Sequence, residues 1–396
     1  MASNYAGFMG RILLIDLTNE ISTEYPWTDA QRKETLGGKI LANQILLDHL
    51  TGEEEPFSEE NWLIVSTGPL TGTGAPTSIR FEITALSPKT GKIVSSNCGG
   101  HFGLHLKRAG FDAVIFMGRC ASHRWIEIRD GDVHFHDAST LWGLKTSDCQ
   151  SRLRENTTAA FGSLCIGPAG EDLLTSATVI CDGKAVGRAG LGAVLGWKNI
   201  KAITASGNAA IPLCHPEETH AEIREWGRIL KEHSLTADPK KVSSCPGCPI
   251  RCKKPGKDAD PILNDLGIDS MDAENHLSWL QEKHGVTLKS TSGSKSGRRR
   301  SKFYHSILEI RSLQDCDEVY SAYHALTDVI SASGLCIFAI IVCLSTEHCD
   351  TPFSLSDTLP RLLHSSTGLC FSKESLLEIG KRNREIQHSL QQRFFK

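Results

Sequence analysis

Arg11 to Leu17 reads RILLIDL, and the fold turns on how this run and six others like it are read. WLIVSTG (62–68), RFEITAL (80–86), KIVSSN (92–97), AVIFMG (113–118), RWIEIRD (124–130) and IKAITASG (200–207) are likewise apolar or alternating. Gly, Pro, Asn and Asp turns separate them, which is the pattern of strands in a packed sheet. Helical periodicity is confined to Asp29–Leu50, His101–Ala109 and Leu144–Arg154 in this part of the chain. Strands outnumber helices and do not alternate with them, so a doubly wound parallel sheet is not expected. The reading is an α+β protein whose N-terminal part carries an antiparallel or mixed sheet, followed by a mostly helical C-terminal part.

The later sequence supports that division. Glu217–Leu235, Phe303–Ile330, Ser354–Leu363 and Lys373–Phe394 have helical patterns, and NDLGIDSMDAENHLSWLQE reads as a turn and a helix. Lys289–Lys302, KSTSGSKSGRRRSK, is an aperiodic Ser, Gly, Lys and Arg stretch that reads as a flexible linker. The expected units are residues 1–208, 209–285, a linker 286–302, and 303–396.

Composition narrows the function. A chain of 396 residues with net charge −3 has no basic excess to hold nucleic acid or an anionic membrane. The RRR run lacks interleaved aromatics and reads as solvated charge. Val329–Thr346 is uncharged and near membrane-spanning length, but its Ser, Thr and Gly content favours a buried element. The start of the chain lacks the basic and long apolar regions of a secretory signal. Fourteen cysteines in such a chain point to a reducing, cytoplasmic compartment rather than a disulfide framework.

Three of those cysteines stand out. Ser244–Lys253, SCPGCPIRCK, sets Cys245, Cys248 and Cys252 in a C-x2-C-x3-C array on a Pro- and Gly-rich loop. Packing has no use for three thiols on one turn, and a disulfide would strand the third. An iron–sulfur cluster is favoured over zinc, because zinc sites usually pair two separated Cys/His couples.

Three glycine-rich loops carry a second signal: Thr67–Arg80 (TGPLTGTGAPTSIR), Ser95–Lys107 (SSNCGGHFGLHLK) and Cys181–Asn199 (CDGKAVGRAGLGAVLGWKN). Glycines let backbone N–H groups approach an anion, and the second and third loops open helices. With Arg80, Lys184 and Arg188 nearby, they suit a large phosphorylated cofactor. Gly190, Gly192 and Gly196 only approximate a dinucleotide fingerprint, with no acidic residue at the distance a ribose contact needs. His101 and His105 read as an ordinary polar helix face.

These motifs resemble the aldehyde ferredoxin oxidoreductase family. GRILLIDLT, GGKILA, TGPLTGTGAPTS, SSNCGG, IGPAGE, GRAGLGAV, CPGCPIRC, NDLGID and SGLC carry the resemblance, which is nearly continuous from Gly10 to Ser206 and patchy beyond. It implies a tungsten (or molybdenum) bis-pterin cofactor with bridging Mg, a 4Fe-4S cluster, a small aldehyde substrate and a ferredoxin-like electron acceptor, and it is compatible with a homodimer. By the resemblance, Arg80, Lys184 and Arg188 would meet pterin phosphate beside Gly99 and Gly100. Asn97 and Ala185 would offer carbonyls to Mg. Asn264, Asp269 and Ser331 fall on the two elements that grip pterin rings, and Cys336 joins Cys245, Cys248 and Cys252 as the fourth cluster ligand. Lys184 replaces the family's arginine, and Asn264 and Ser331 replace aspartates. The chain is internally shortened around the parts where the family keeps its acid–base residues. The implied function is oxidation of an aldehyde to a carboxylic acid. The alternatives are an inactive, internally deleted remnant or a zinc-stabilised interaction protein.

Overall fold

The computed structural model describes residues 4–155, 160–232, 248, 261–268, 277–284, 316–337 and 358–394. Two six-stranded mixed sheets form the N-terminal body. The first contains β1 (Ile12–Asp16), β2 (Ile21–Tyr25), β3 (Leu63–Thr67), β4 (Arg80–Leu86), β5 (Ile93–Gly99) and β6 (Ala113–Met117), in the order β2-β1-β6-β3-β4-β5. The second contains β7 (Arg124–Arg129), β8 (Asp132–Asp137), β9 (Gly162–Ile166), β10 (Val179–Cys181), β11 (Lys184–Val186) and β12 (Ile200–Ser206), in the order β11-β10-β9-β12-β7-β8. Each has one parallel pair, β1 with β6 and β7 with β12; the other pairings are antiparallel. All seven runs singled out in the sequence are strands.

Helices α1 (Asp29–Thr35), α2 (Gly38–His49), α3 (Phe102–Arg108), α4 (Thr146–Glu155), α5 (Pro168–Glu171) and α6 (Leu191–Trp197) complete the body. The expected single helix over 29–50 is two. A capping box between Thr28 and Gln31 starts α1, and Leu36 at φ +57° ends it. The continuous apolar character of the inner strands follows from burial on both faces. On β1, β3 and β6, Leu13, Ile15, Val65, Val114 and Phe116 face a core shared by both sheets with α3 and α6. Alternate residues Ile12, Ile64 and Ile115 face Leu41, Ile45 and Leu46 of α2. Burying each such side chain stabilises by about 1.5–3 kcal/mol.

Past Ser206 the described residues are helical: α7 (Pro216–Glu232), α8 (Pro261–Leu266), α9 (Leu277–His284), α10 (Cys316–Ala332), α11 (Thr358–Thr367) and α12 (Lys373–Phe394). Helices α7, α10, α11 and α12 share a second core with Leu36, Ile40 and Leu70. Helix α8 begins ahead of NDLGID, so that motif opens inside a helix and not at a turn. Ile268 makes an isolated bridge with Ala177. Val329–Thr346 is not one element: α10 stops at Ala332, and Gly334 at φ +89° turns the chain. Among the described residues, no helix is long and apolar enough to cross a membrane.

The first residues strap these parts together. Ala6 and Gly7 donate backbone hydrogen bonds to the carbonyls of Thr367 (3.2 Å) and Pro212 (2.7 Å). Buried Lys107 donates to the carbonyls of Gly7 and of Gly68 (3.0 Å), while Asp112 accepts from Met9 (3.1 Å) and Gly10 (2.7 Å).

Candidate cofactor platform

Strands β4 and β5 place the second glycine loop beside the first. In register, Arg80 stands opposite Gly99 and Glu82 opposite Asn97. Strand β5 is an edge strand, half-exposed from Ile93 to Asn97, and β11 edges the other sheet. The third loop closes on the second at this seam. Lys184 Nζ donates to the Gly99 carbonyl (3.2 Å). Asp182 accepts from the His101 backbone (2.7 Å) and pairs with its ring Nδ1 (2.9 Å). Cys181 hydrogen-bonds Cys98 across the seam; that bond, then burial, drives its thiol pKa well up. A Cβ on Gly100 would overlap the Cys181 sulfur, so the glycine is needed for close approach. Gly190 caps α6 at φ +83°, a conformation unfavourable for other residues.

The first loop seats the Ser331–Cys336 segment. Leu70 N–H donates to the Ser333 carbonyl (3.0 Å) and Arg80 N–H to that of Gly334 (3.3 Å). Cys336 N–H donates to Thr77 Oγ1 (3.4 Å). A side chain on Gly68 would collide with the backbone of Ser333 and Gly334.

The candidate residues thus fall into groups. Arg80, Asn97, Lys184 and Ala185 are half-buried around Gly99 and Gly100, and Arg188 is exposed on the same loop. Ser331 and Cys336 are buried behind the first loop. Cys248 packs against the core cluster that includes Cys336. Asn264 lies in α8, whose following residue Gly267 accepts a hydrogen bond from Thr178 (2.7 Å). Cys245, Cys252 and Asp269 lie outside the described residues, as does the Lys289–Lys302 stretch. Among the described residues, no group of three His, Cys, Asp or Glu side chains forms a ready metal site.

Some of the site had no sequence signal. Lys39 of α2 pairs with Asp328 of α10 (2.9 Å) and lies 3.9 Å from Glu82 of β4. Asp328 also receives Arg384 (2.9 Å) and Asn383 (2.8 Å) from α12. Burial opposes the charge on Lys39, but Glu82 and Asp328 outweigh it and raise its pKa. Burial raises the pKa of Glu82. The one hint was a glutamate inside an otherwise apolar strand. His105 departs from expectation. It is buried, and burial followed by Arg108 and His101 lowers its pKa to about 4, so only His101 sits on a polar face.

The residues present fit an anionic, polydentate group. Lys184 reaches the Gly99 carbonyl, Arg80 stands opposite Gly99 and Arg188 is exposed on the same loop as Lys184, while Asn97 Nδ2 is buried without a hydrogen-bond partner although its amide lies close enough to favour charge on Glu82. The fold is α+β, with two mixed sheets followed by helices. Residues 12–207 match the family described as "Aldehyde ferredoxin oxidoreductase, N-terminal domain". The chain is 38% identical over 236 residues to the tungsten-containing aldehyde ferredoxin oxidoreductase of Pyrococcus furiosus, covering 59% of this chain and 38% of that one. The enzyme of the same name from Thermococcus kodakarensis gives the same identity and coverage. An aliphatic sulfonate oxidoreductase, WOR-like subunit, of Pyrococcus furiosus is 32% identical over 263 residues, 58% of this chain and 42% of that one. The solved active site complex BamBC of benzoyl coenzyme A reductase with 1,5-dienoyl-CoA superimposes with TM-score 0.76 at 17% identity, covering 99% of this chain and 90% of that one. That last likeness speaks to the fold alone. The chain belongs to the aldehyde ferredoxin oxidoreductase family, and it spans 38% of the length of the first two relatives.

Proposed function

We propose that this chain is an aldehyde ferredoxin oxidoreductase-like protein that holds a tungsten-pterin cofactor on the β4–β5–β11 seam and oxidises a small aldehyde to a carboxylic acid. The supporting observation is the meeting of all three glycine loops at Gly99, which Arg80 faces in register and Lys184 contacts directly. Residues 1–208 form the cofactor domain in this reading. Arg80, Lys184 and Arg188 hold phosphate, and the carbonyls of Asn97 and Ala185 face a Mg ion. Ser331, Asn264 and Asp269 supply polar groups for the ring edges. Cys245, Cys248, Cys252 and Cys336 hold a 4Fe-4S cluster, with a ferredoxin-like protein as electron acceptor. When bound, the tungsten-pterin supplies the oxidation chemistry itself. The chain's part is to orient the cofactor and stiffen the seam. Glu82 and Lys39 form a buried charged floor tied to α10 and α12.

Anaerobically purified protein is expected to contain tungsten or molybdenum, a fluorescent pterin and about four irons per chain. It is also expected to reduce a viologen dye only when an aldehyde is added. Arg80→Ala should lower pterin occupancy without changing iron content. Protein that carries neither pterin nor tungsten after reconstitution, or whose dye reduction ignores aldehyde, overturns the reading.

A further inference from the structure

Away from the platform, the segment ahead of α7 and the end of α11 bring two cysteines and two histidines together. Cys214 Sγ lies 3.5 Å from His215 Nε2, and Cys370 Sγ lies 3.3 Å from His364 Nδ1. The two imidazole centroids are 5.4 Å apart and tilted by 46°. Gly368, between His364 and Cys370, comes so near Cys214 that a built Cβ would sit 3.0 Å from its sulfur. The backbone fixes this meeting. Cys214 N–H donates to the Ser366 carbonyl (3.1 Å) and His215 N–H to that of Ser365 (2.8 Å).

We propose that Cys214, His215, His364 and Cys370 form a Cys2His2 site for a soft divalent cation, zinc above all, that staples the start of α7 to the end of α11. Zinc takes thiolate at about 2.3 Å and imidazole at about 2.0–2.1 Å in a tetrahedron, which puts neighbouring S and N ligands roughly 3.5 Å apart. Both Cys–His pairs already have that spacing. Two imidazoles on one tetrahedral ion have ring centres roughly 5 Å apart by the same bond lengths, close to the separation seen. The four donors stand as two pairs and not as a closed shell. Cys214, His215 and Cys370 are exposed and His364 is half-buried, so rotamer changes close the shell without moving packed core. Binding deprotonates two thiols and releases their protons to solvent, with no change of oxidation state. None of the four residues belongs to the cysteine loop or to the platform.

The test uses the full-length chain, stripped with chelator and titrated anaerobically with Co2+ alone. Wild-type protein is expected to bind one more cobalt than Cys214→Ser/Cys370→Ser, and the extra ion should show tetrahedral d–d absorption with thiolate charge transfer. His364→Ala should weaken that binding step at least tenfold. Zn2+ should bleach the bands and raise the thermal midpoint of wild-type protein but not of the double variant. Equal cobalt content in wild type and double variant, an octahedral spectrum, or a Cys214–Cys370 disulfide found by mass under reducing-agent-free conditions overturns the assignment.

Discussion

Between β1 and β12 the chain buries Ile, Leu, Val and Phe side chains of two sheets against one another. Helices α10 and α12 meet that body differently: besides apolar contacts they reach it through a network in which buried Glu82, Asp328 and Asn383 hold Lys39 and the partly exposed Arg384. The first kind of contact is non-directional and tolerant. The second demands that every partner be present, because a buried charge without its mate costs far more than the pair gains. The helical part is therefore the specific component and the sheets the robust one.

Removing Asp328 is the hardest blow to this contrast. Asp328→Ala takes the shared partner of Lys39 and Arg384 and leaves Lys39 only Glu82 at 3.9 Å, while Arg384 reaches solvent, and should destabilise by about 3 kcal/mol. Hydrogen exchange is expected to accelerate in α10 and α12 while the β3–β6 ladder stays protected. A uniform loss of protection would break the distinction between the two regions.

The body has its own weak point in acid. The folded-state pKa of His105, about 4, lies below the ordinary 6.5. The unfolded chain therefore takes up the proton first, and stability falls as pH drops from 6.5 towards 4. The full effect is roughly 3 kcal/mol. His105→Leu should flatten that part of the pH–stability profile, as measured by urea unfolding at each pH. A profile of unchanged slope would remove His105 from the account.

Gly68→Ala probes the seam between the two regions. Its methyl group would press the backbone of Ser333 and Gly334 away from the first loop. The expected loss is about 2 kcal/mol, read as a lowered thermal midpoint together with faster exchange at Leu70 and Arg80, whose N–H groups bond that segment.

The smallest effect sharpens the comparison by staying local. Thr28→Ala removes the α1 capping box and should cost about 1 kcal/mol. Circular dichroism and unfolding midpoint should report it, without any change in exchange at α10 or α12.

The seven runs legible in the sequence are β1, β3–β7 and β12, strands with one or both faces buried. Five strands were not singled out: β9, GSLCI, is buried throughout but opens on Gly and Ser and carries only two large aliphatic side chains, and the other four are exposed, short or strongly polar. ISTEY of β2 is exposed along four of its five residues, β8 has only Val133 and Phe135 among aspartates and histidines, and β10 and β11 are three residues each. Their pairing is imposed by neighbours already in place. The glycine loops were readable because close backbone approach restricts residue type within a short stretch. The charge network was not, because Lys39, Glu82, Asp328 and Arg384 are remote in sequence and each looks ordinary alone. The same holds for Cys214 with Cys370, which no local spacing connects.

The strap formed by Ala6 and Gly7 has a consequence for the order of events during synthesis. Its anchors, Pro212 and Thr367, leave the ribosome long after residues 6 and 7 do. The sheets can mature on the emerging chain, and Lys107 and Asp112 can then hold Gly7, Met9 and Gly10, but the bonds of Ala6 and Gly7 to Thr367 and Pro212 are complete only once translation passes α11. A tag or chaperone gripping those first residues would thus delay the final locking step while leaving the sheets free to form.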